Sequence, residues 1–349
     1  MKHRSIPRAG RLTCAALALC VLSIGPARGA DSTRAAYLSN RGGVARTFDV
    51  ILHDFRSDGE VNLTAGTGIA GVASISSPRL LATRNSVVCI ASGGKDLVEV
   101  SCAGGAPRFL ARGLAITGSL AIAPDEKAVA FACTIDGRSQ ICEVDLIGGV
   151  SRNLSANAWN DSEMAYAPDG RSLAFVTDRD GSRSVAIMQR DGLGQRVLTN
   201  DLGDDRFPCF APAGDRIVFA SSRSARGEGA FDLYSIETGG RAFSLLFQNG
   251  SYNAHPVFSP DGTHLAFLSK NLTKKLGHVV LMDVPSGQVR TITDSLAYLK
   301  GPPAFSSHGR YLVFEHNTIR DCEIMLFDML SGDLRNISNT GSWDCGPSF

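Results

Sequence analysis

Residues 164–199 read MAYAPDGRSLAFVTDRDGSRSVAIMQRDGLGQRVLT, and Pro256 opens a second copy of that sentence, PVFSPDGTHLAFLSK, which resumes after a loop as HVVLMDVPSGQVRTIT. Looser copies begin near Leu120, Pro208 and Pro303, so the aligned starts fall at about 120, 164, 208, 256, 303 and 347. A fixed period of about 44 to 48 residues is the mark of a repeat architecture in which one supersecondary unit recurs.

Each copy divides into four short strands. In the copy at Met164, MAY is the first strand and Pro168-Asp169-Gly170 a tight turn, with proline presetting φ and glycine accepting positive φ. SLAFVT, VAIMQ and RVLT follow as the second to fourth strands, separated by turns at Asp178–Gly181 and Arg190–Gly192. A sheet this small cannot bury both faces alone, so it needs neighbours of its own kind stacked against it.

The pattern PxFSPDGxxLAFxSxRxGxxxLYxxDxxxGxxRxLT resembles the repeat of the TolB-like β-propeller family, also called the WD40-like or PD40 repeat. The copies at 164 and 256 match it closely and those at 208 and 303 moderately, while the copy at 120 has lost its DG turn. The resemblance implies an all-β propeller of four-stranded antiparallel blades. The count is seven if Gly71–Leu110 forms a degenerate blade with VVCIAS and LVEVSC as middle strands, and six if the region before about 112 is irregular. The last residues repeat the DxxPxF lead-in of Asp205–Phe210, whereas Ala36–Ser39, Thr47–His53 and Val61–Leu63 fit the second to fourth strands of a blade without a first. One blade assembled from both termini would close the ring and pair its edges.

Residues 1–29 have a basic start, an apolar stretch from Leu12 to Ile24 and small residues at Ala27-Arg28-Gly29, the three regions of a secretory signal peptide. The apolar stretch is short of the ~20 residues of a membrane-spanning helix. Residues 30–349 are then one propeller domain, and by the resemblance the compartment is a periplasm or the exterior. Composition is globular, 44% hydrophobic and 20% charged, with a formal charge of +1 that becomes about −4 once the leader's five basic residues go. Nothing in that balance attracts nucleic acid. Seven of the nine cysteines lie beyond the leader. Hairpin turns about Asp136–Ser139 and Lys95-Asp96 would set Cys133 across from Cys142 and Cys89 across from Cys102, as disulfides or as buried small residues.

With the first and third strands parallel, the lead-ins to the first strand share one face with the long connections at Ser221–Ala230 and Ser269–Gly277, and the other face carries tight turns only. The first strands line a central channel, so the lead-in residues Trp159, Asp161, Glu163, Asp205, Arg206, His255, Lys300 and Asp344 ring its mouth and form the candidate binding site. Each has a plainer explanation: Asp205 and Asp344, at matching positions, serve equally as braces between blades, and Trp159 as a cover for a blade core. By the resemblance the partner is an envelope protein or peptide, with a saccharide as the other ligand class, the chain itself a monomer, and no cofactor. No GxSxG elbow, HExxH helix or glycine-rich phosphate loop occurs. The remaining enzymatic alternative is a metal-dependent lyase acting on acidic saccharides, whose metal His255, His278 and His316, all on the long-loop face, would hold.

Overall fold

A strand that packs on both faces reads as a continuous apolar run, and the second strands of the repeats (VVCIA, AVAFAC, SLAFVT, RIVFAS) are such runs. The computed structural model describes residues 33–40, 48–65, 76–199, 203–224, 228–274, 276–293, 301–317, 322–338 and 344–349. Among them, 28 strands sort into seven four-stranded antiparallel sheets, each in the order inner, second, third, outer. The fold is an all-β seven-bladed propeller, and the six-bladed alternative falls. The degenerate blade 2 is complete, with strands Ser76–Leu81, Ser86–Ala91, Asp96–Ser101 and Arg108–Ala111.

Both faces of each blade are used because successive side chains point to opposite sides. In blade 3, Val129, Phe131 and Cys133 pack toward blade 2, whereas Ala128, Ala130 and Ala132 pack toward blade 4. The small alanine face receives Met164, Tyr166, Phe175 and Met188 of blade 4, so large fills against small. Seven such clusters lie between successive blades, including one joining blade 7 to blade 1.

Closure follows from strand pairing. Asp344–Ser348 is the inner strand of blade 1, pairing antiparallel with Arg34–Ser39 through Ser39–Asp344, Leu38–Cys345 and Ala36–Ser348. Asp49–Asp54 and Gly59–Asn62 complete that blade.

Two local expectations change. Where blade 3 lacks the DG turn, Glu126 takes the left-handed conformation instead (φ 48°), its N–H donating to Ala123 O at 2.8 Å. The cost of αL at a non-glycine is offset by its carboxylate, which accepts the N–H groups of Ala82 and Thr83 in blade 2. The blade 3 hairpin turns tightly at Asp136-Gly137, which pairs Cys133 with Gln140 rather than with Cys142. Cys142 is the diagonal neighbour on the same face, and the two are joined by a disulfide with Cα atoms 6.5 Å apart. In blade 2 a shift twice as large sets Cys89 opposite Val98; Cys89 and Cys102 are both free, which corrects the second expected pair.

On the tight-turn face, the proline of each PDG-type turn stands beside the glycine of the next blade's turn. A methyl added at Gly170, Gly214, Gly262 or Gly309 would meet Pro124, Pro168, Pro212 or Pro260 at 3.6, 3.7, 3.6 and 3.3 Å. These turns therefore pack into an arc around the axis.

Candidate functional site

The inner strands of blades 4 and 5 begin Asp161-Ser162-Glu163 and Asp205-Arg206-Phe207, and that of blade 6 carries Asn253-Ala254-His255 just after its first residue, Tyr252. In each, pairing with the second strand holds through the middle residue of the triplet, skips two residues and resumes. The residue at the break is left-handed: Glu163, Phe207 and His255 have φ of 51°, 55° and 55°. Non-glycine residues in this region are strained, and such strain gathers at functional sites.

The first residue of each triplet is structural. Asp161, Asp205 and Asn253 are fully buried, as is Asp344 on the inner strand of blade 1. Asp161 accepts hydrogen bonds from Ser155 of blade 3, from Thr177 of its own blade and from Asn157. Asp205 repeats this with Thr199 of blade 4 and Ser221, and adds an ion pair to Arg223 at 2.7 Å. Burial raises both carboxyls above the usual range, with the hydrogen bonds pulling the other way. The Asp161 and Asp205 side chains brace one blade to the next and, like Asp344, are buried rather than presented at the mouth, which corrects the place of these three among the binding residues.

The third residues touch along the inner wall. Glu163 Oε2 accepts the Phe207 N–H at 2.8 Å, and the Phe207 ring lies 3.9 Å from the His255 ring, centroid to centroid, tilted by 36°. Beside this row, Arg206 Nε donates to Asp204 at 3.2 Å and Arg183 approaches the same carboxylate at 3.3 Å. Tyr252 lies within the field of Arg206, Glu163 and Asp204, and its burial raises its phenol. Burial likewise pushes the Glu163 carboxyl up, while the Phe207 N–H, Arg206 and Arg183 pull it back. His255 is 6% exposed, and its Nδ1 has no hydrogen-bond partner among the described residues. The arrangement offers an unmatched acceptor, a desolvated carboxyl and alternating surface charge, which suits holding polar groups; it contains no activated nucleophile.

Trp159 stands apart on the rim, half-buried, with the Arg179 guanidinium 4.7 Å from its ring and its carbonyl accepting Gln140 Nε2 at 2.7 Å. Lys300 lies outside the described residues. The three histidines of the lyase alternative do not assemble: His278 Nδ1 is turned to Thr293 O at 3.3 Å at the start of the third strand of blade 6, and His316 sits on the second strand of blade 7. Among the described residues no group of three or more His, Cys, Asp or Glu is placed to hold a metal ion. Phe207 and Arg183 were not foreseen. The only signal for Phe207 is its position two residues after the bracing aspartate.

Burial and the nearby Arg206 charge push the His255 imidazole down to about 3. The unfolded chain takes up this proton near 6.5 and the folded chain does not, so the stability present above 6.5 is lost as pH falls toward 3. His255→Gln is therefore expected to lose about 2 kcal/mol less than the parent between pH 7 and pH 5. Urea titrations at the two pH values read the difference. Equal losses would show that His255 is not the group held neutral.

The family model described as the TolB beta propeller domain matches residues 162–314, from blade 4 into blade 7. No curated protein sequence matches the chain. Similar solved structures include TolB from Acinetobacter baumannii, at 20% identity and a TM-score of 0.59, covering 90% of this chain and 82% of that one. An oligogalacturonate lyase in complex with manganese has 13% identity and a TM-score of 0.70, covering 88% and 89%. A puromycin hydrolase has 15% identity and a TM-score of 0.70, covering 93% of this chain but only 54% of that one. At such identities the likeness speaks for the ring and not for its chemistry. Carrying the family's repeat across its middle blades and sharing its ring with solved TolB, the chain is a seven-bladed β-propeller that is similar to the TolB propellers.

Proposed function

We propose that this propeller is an exported binding scaffold that takes an envelope protein or peptide at the channel mouth formed by blades 4, 5 and 6. The observation that carries the reading is the contact row Glu163–Phe207–His255, three left-handed residues from three successive blades, flanked by Arg183, Asp204, Arg206 and Tyr252. Rigid strands hold these groups in place before any partner arrives, which lowers the ordering cost of binding. The leader-like residues 1–29 and the TolB-like repeat support a periplasmic setting, and no helix among the described residues is long and apolar enough to cross a membrane.

The test is capture from an envelope extract with immobilised protein, comparing the parent with Arg206→Ala and Glu163→Gln. Arg206 is partly exposed and, among the described residues, its ion pair is with Asp204, so its removal is expected to leave the fold intact and weaken capture about tenfold, as for loss of a charged contact at an interface. Unchanged capture by both variants at an unchanged melting temperature would move the site away from this mouth.

A further inference from the structure

The outer strand of every blade ends its sheet on a free edge, and five blades place an arginine at the same register of that edge. Arg108 lies across from Glu99, Arg152 from Glu143, Arg196 from Ile187, Arg290 from Leu281 and Arg335 from Leu326. Blade 1 has Val61 at that register, with Glu60 beside it. Blade 5 has Ser244, across from Ser235.

Its outer strand Ser244–Phe247 (SLLF) contains no charged residue, and the chain stays uncharged from Ala242 to Ala254. Phe243, Leu245 and Leu246 are 40, 48 and 38% exposed. Leu246 is the extra residue between the pairs Tyr234–Leu245 and Leu233–Phe247, and so is turned outward. The blade departs from its neighbours once more at the end of this strand. Blades 1, 3, 4, 6 and 7 place Thr64, Ser155, Thr199, Thr293 and Ser338 there, each hydroxyl accepting an N–H from the third strand, whereas blade 5 has Gln248, bonded to Asp232.

An edge strand pairs with another strand unless charge, proline or shortness prevents it. Two copies meeting through any of the five arginine-bearing edges would bring like charges together across the new pair. Blade 5 has no charged residue on the strand itself, and the cation beside it, Arg216 of its second strand, is held by Ser235 Oγ and the Ala242 carbonyl. In an antiparallel pair centred on Leu245, Phe243 of one copy falls opposite Phe247 of the other, and Arg241 falls opposite the neutral Asn249. Leu245 meets its own copy, Ser244 meets Leu246, and the flanking cation meets an amide.

We propose that the outer strand of blade 5 is a self-association edge, through which two copies of this chain pair antiparallel about a two-fold axis and join two blades into one eight-stranded sheet. This revises the expectation of a monomer. Five paired residues span only ~17 Å, well short of a standard interface, so the dimer is weak and depends on concentration.

Sedimentation equilibrium of the full chain, from roughly 5 to 500 μM, is expected to show a reversible monomer–dimer equilibrium. Ser244→Arg, which restores the arginine of the other blades, and Leu245→Lys are each expected to weaken it at least tenfold without shifting the melting temperature. Leu330→Lys, on an exposed turn of blade 7, is expected to leave it unchanged. In the unmodified chain, amide exchange at Ser244–Phe247 is expected to slow as concentration rises, a reading that does not depend on any variant folding. A monomer across the whole range, a dimer that survives both blade 5 substitutions, exchange that ignores concentration, or a monomer that instead takes up an unrelated extended peptide at this edge would each overturn the proposal.

Discussion

Deleting residues 344–349 is expected to open blade 1 and unfold the ring. The segment supplies that blade's inner strand, and Phe349 packs edge-on against Phe55 at 5.8 Å in the cluster that joins blade 7 to blade 1. The Gly346 N–H donates to the buried Glu315 of blade 7 at 2.8 Å, and Ser348 Oγ accepts the Leu80 N–H of blade 2 at 3.3 Å. Six residues thus tie three blades. Emptying the Phe349 site alone costs about 3 to 5 kcal/mol by analogy with other buried aromatics. Losing the strand besides strips the ladder from Arg34–Ser39 and exposes two edges, which together exceed much of the ~5 to 15 kcal/mol that separates a folded domain from its unfolded chain. Thermal unfolding with light scattering should show early aggregation, and Phe349→Ala, which keeps the backbone pairs, should fall between the two. A truncated chain that melts with the full-length one would refute closure through this strand.

Gly192→Ala is expected to be the most damaging single methyl in the protein that we would test. Gly192 has φ 89°, and a Cβ there would stand 2.3 Å from the carbonyl oxygen of Leu154 in the neighbouring blade, so backbone rather than a yielding side chain is in the way. Gly181 has nearly the same φ, 90°, with nothing within 4 Å of the added carbon. Gly181→Ala therefore measures the left-handed penalty by itself, about 1 to 2 kcal/mol. Gly192→Ala adds the separation of blades 3 and 4 and should cost about 3 to 5 kcal/mol. Denaturant midpoints of the pair isolate the clash. Equal losses would mean the blades shift apart freely at this turn.

The repeat, the blade count and the closing strand could be read from the sequence because they rest on turns that only a few residues satisfy. Pro168-Asp169-Gly170 and Pro260-Asp261-Gly262 announce a hairpin wherever they occur. The hairpin register is harder: moving the blade 3 turn from Asp136–Ser139 to Asp136-Gly137 changes every partner, and with it which cysteine faces which. Hardest was the mouth. Glu163, Phe207 and His255 share a backbone conformation and nothing chemical, so no residue type marks the position. The buried aspartates misled in the opposite way. Asp161 and Asp205 look like rim charges in a lead-in, yet they are fully buried, each bonded to one hydroxyl of the preceding blade and one of its own. The absence of arginine from one outer strand is plain in the sequence once the strands are aligned by pairing, and invisible before.

Drawing the first blade from both ends also sets the order of events during synthesis. Among the strands of the ring Arg34–Ser39 is made first, and its inner neighbour Asp344–Ser348 is made after all the others. At ~5 to 20 residues per second, the early strands wait roughly 15 to 60 s for their partner. Throughout that interval Ala35, Tyr37 and Ile51 lack the Phe349 side of their cluster, and Arg34–Ser39 offers an open edge to any passing strand. The ring is a clasp whose two halves are manufactured at opposite ends of the job, so the nascent protein is most exposed to mispairing while nearly all of its sequence already exists.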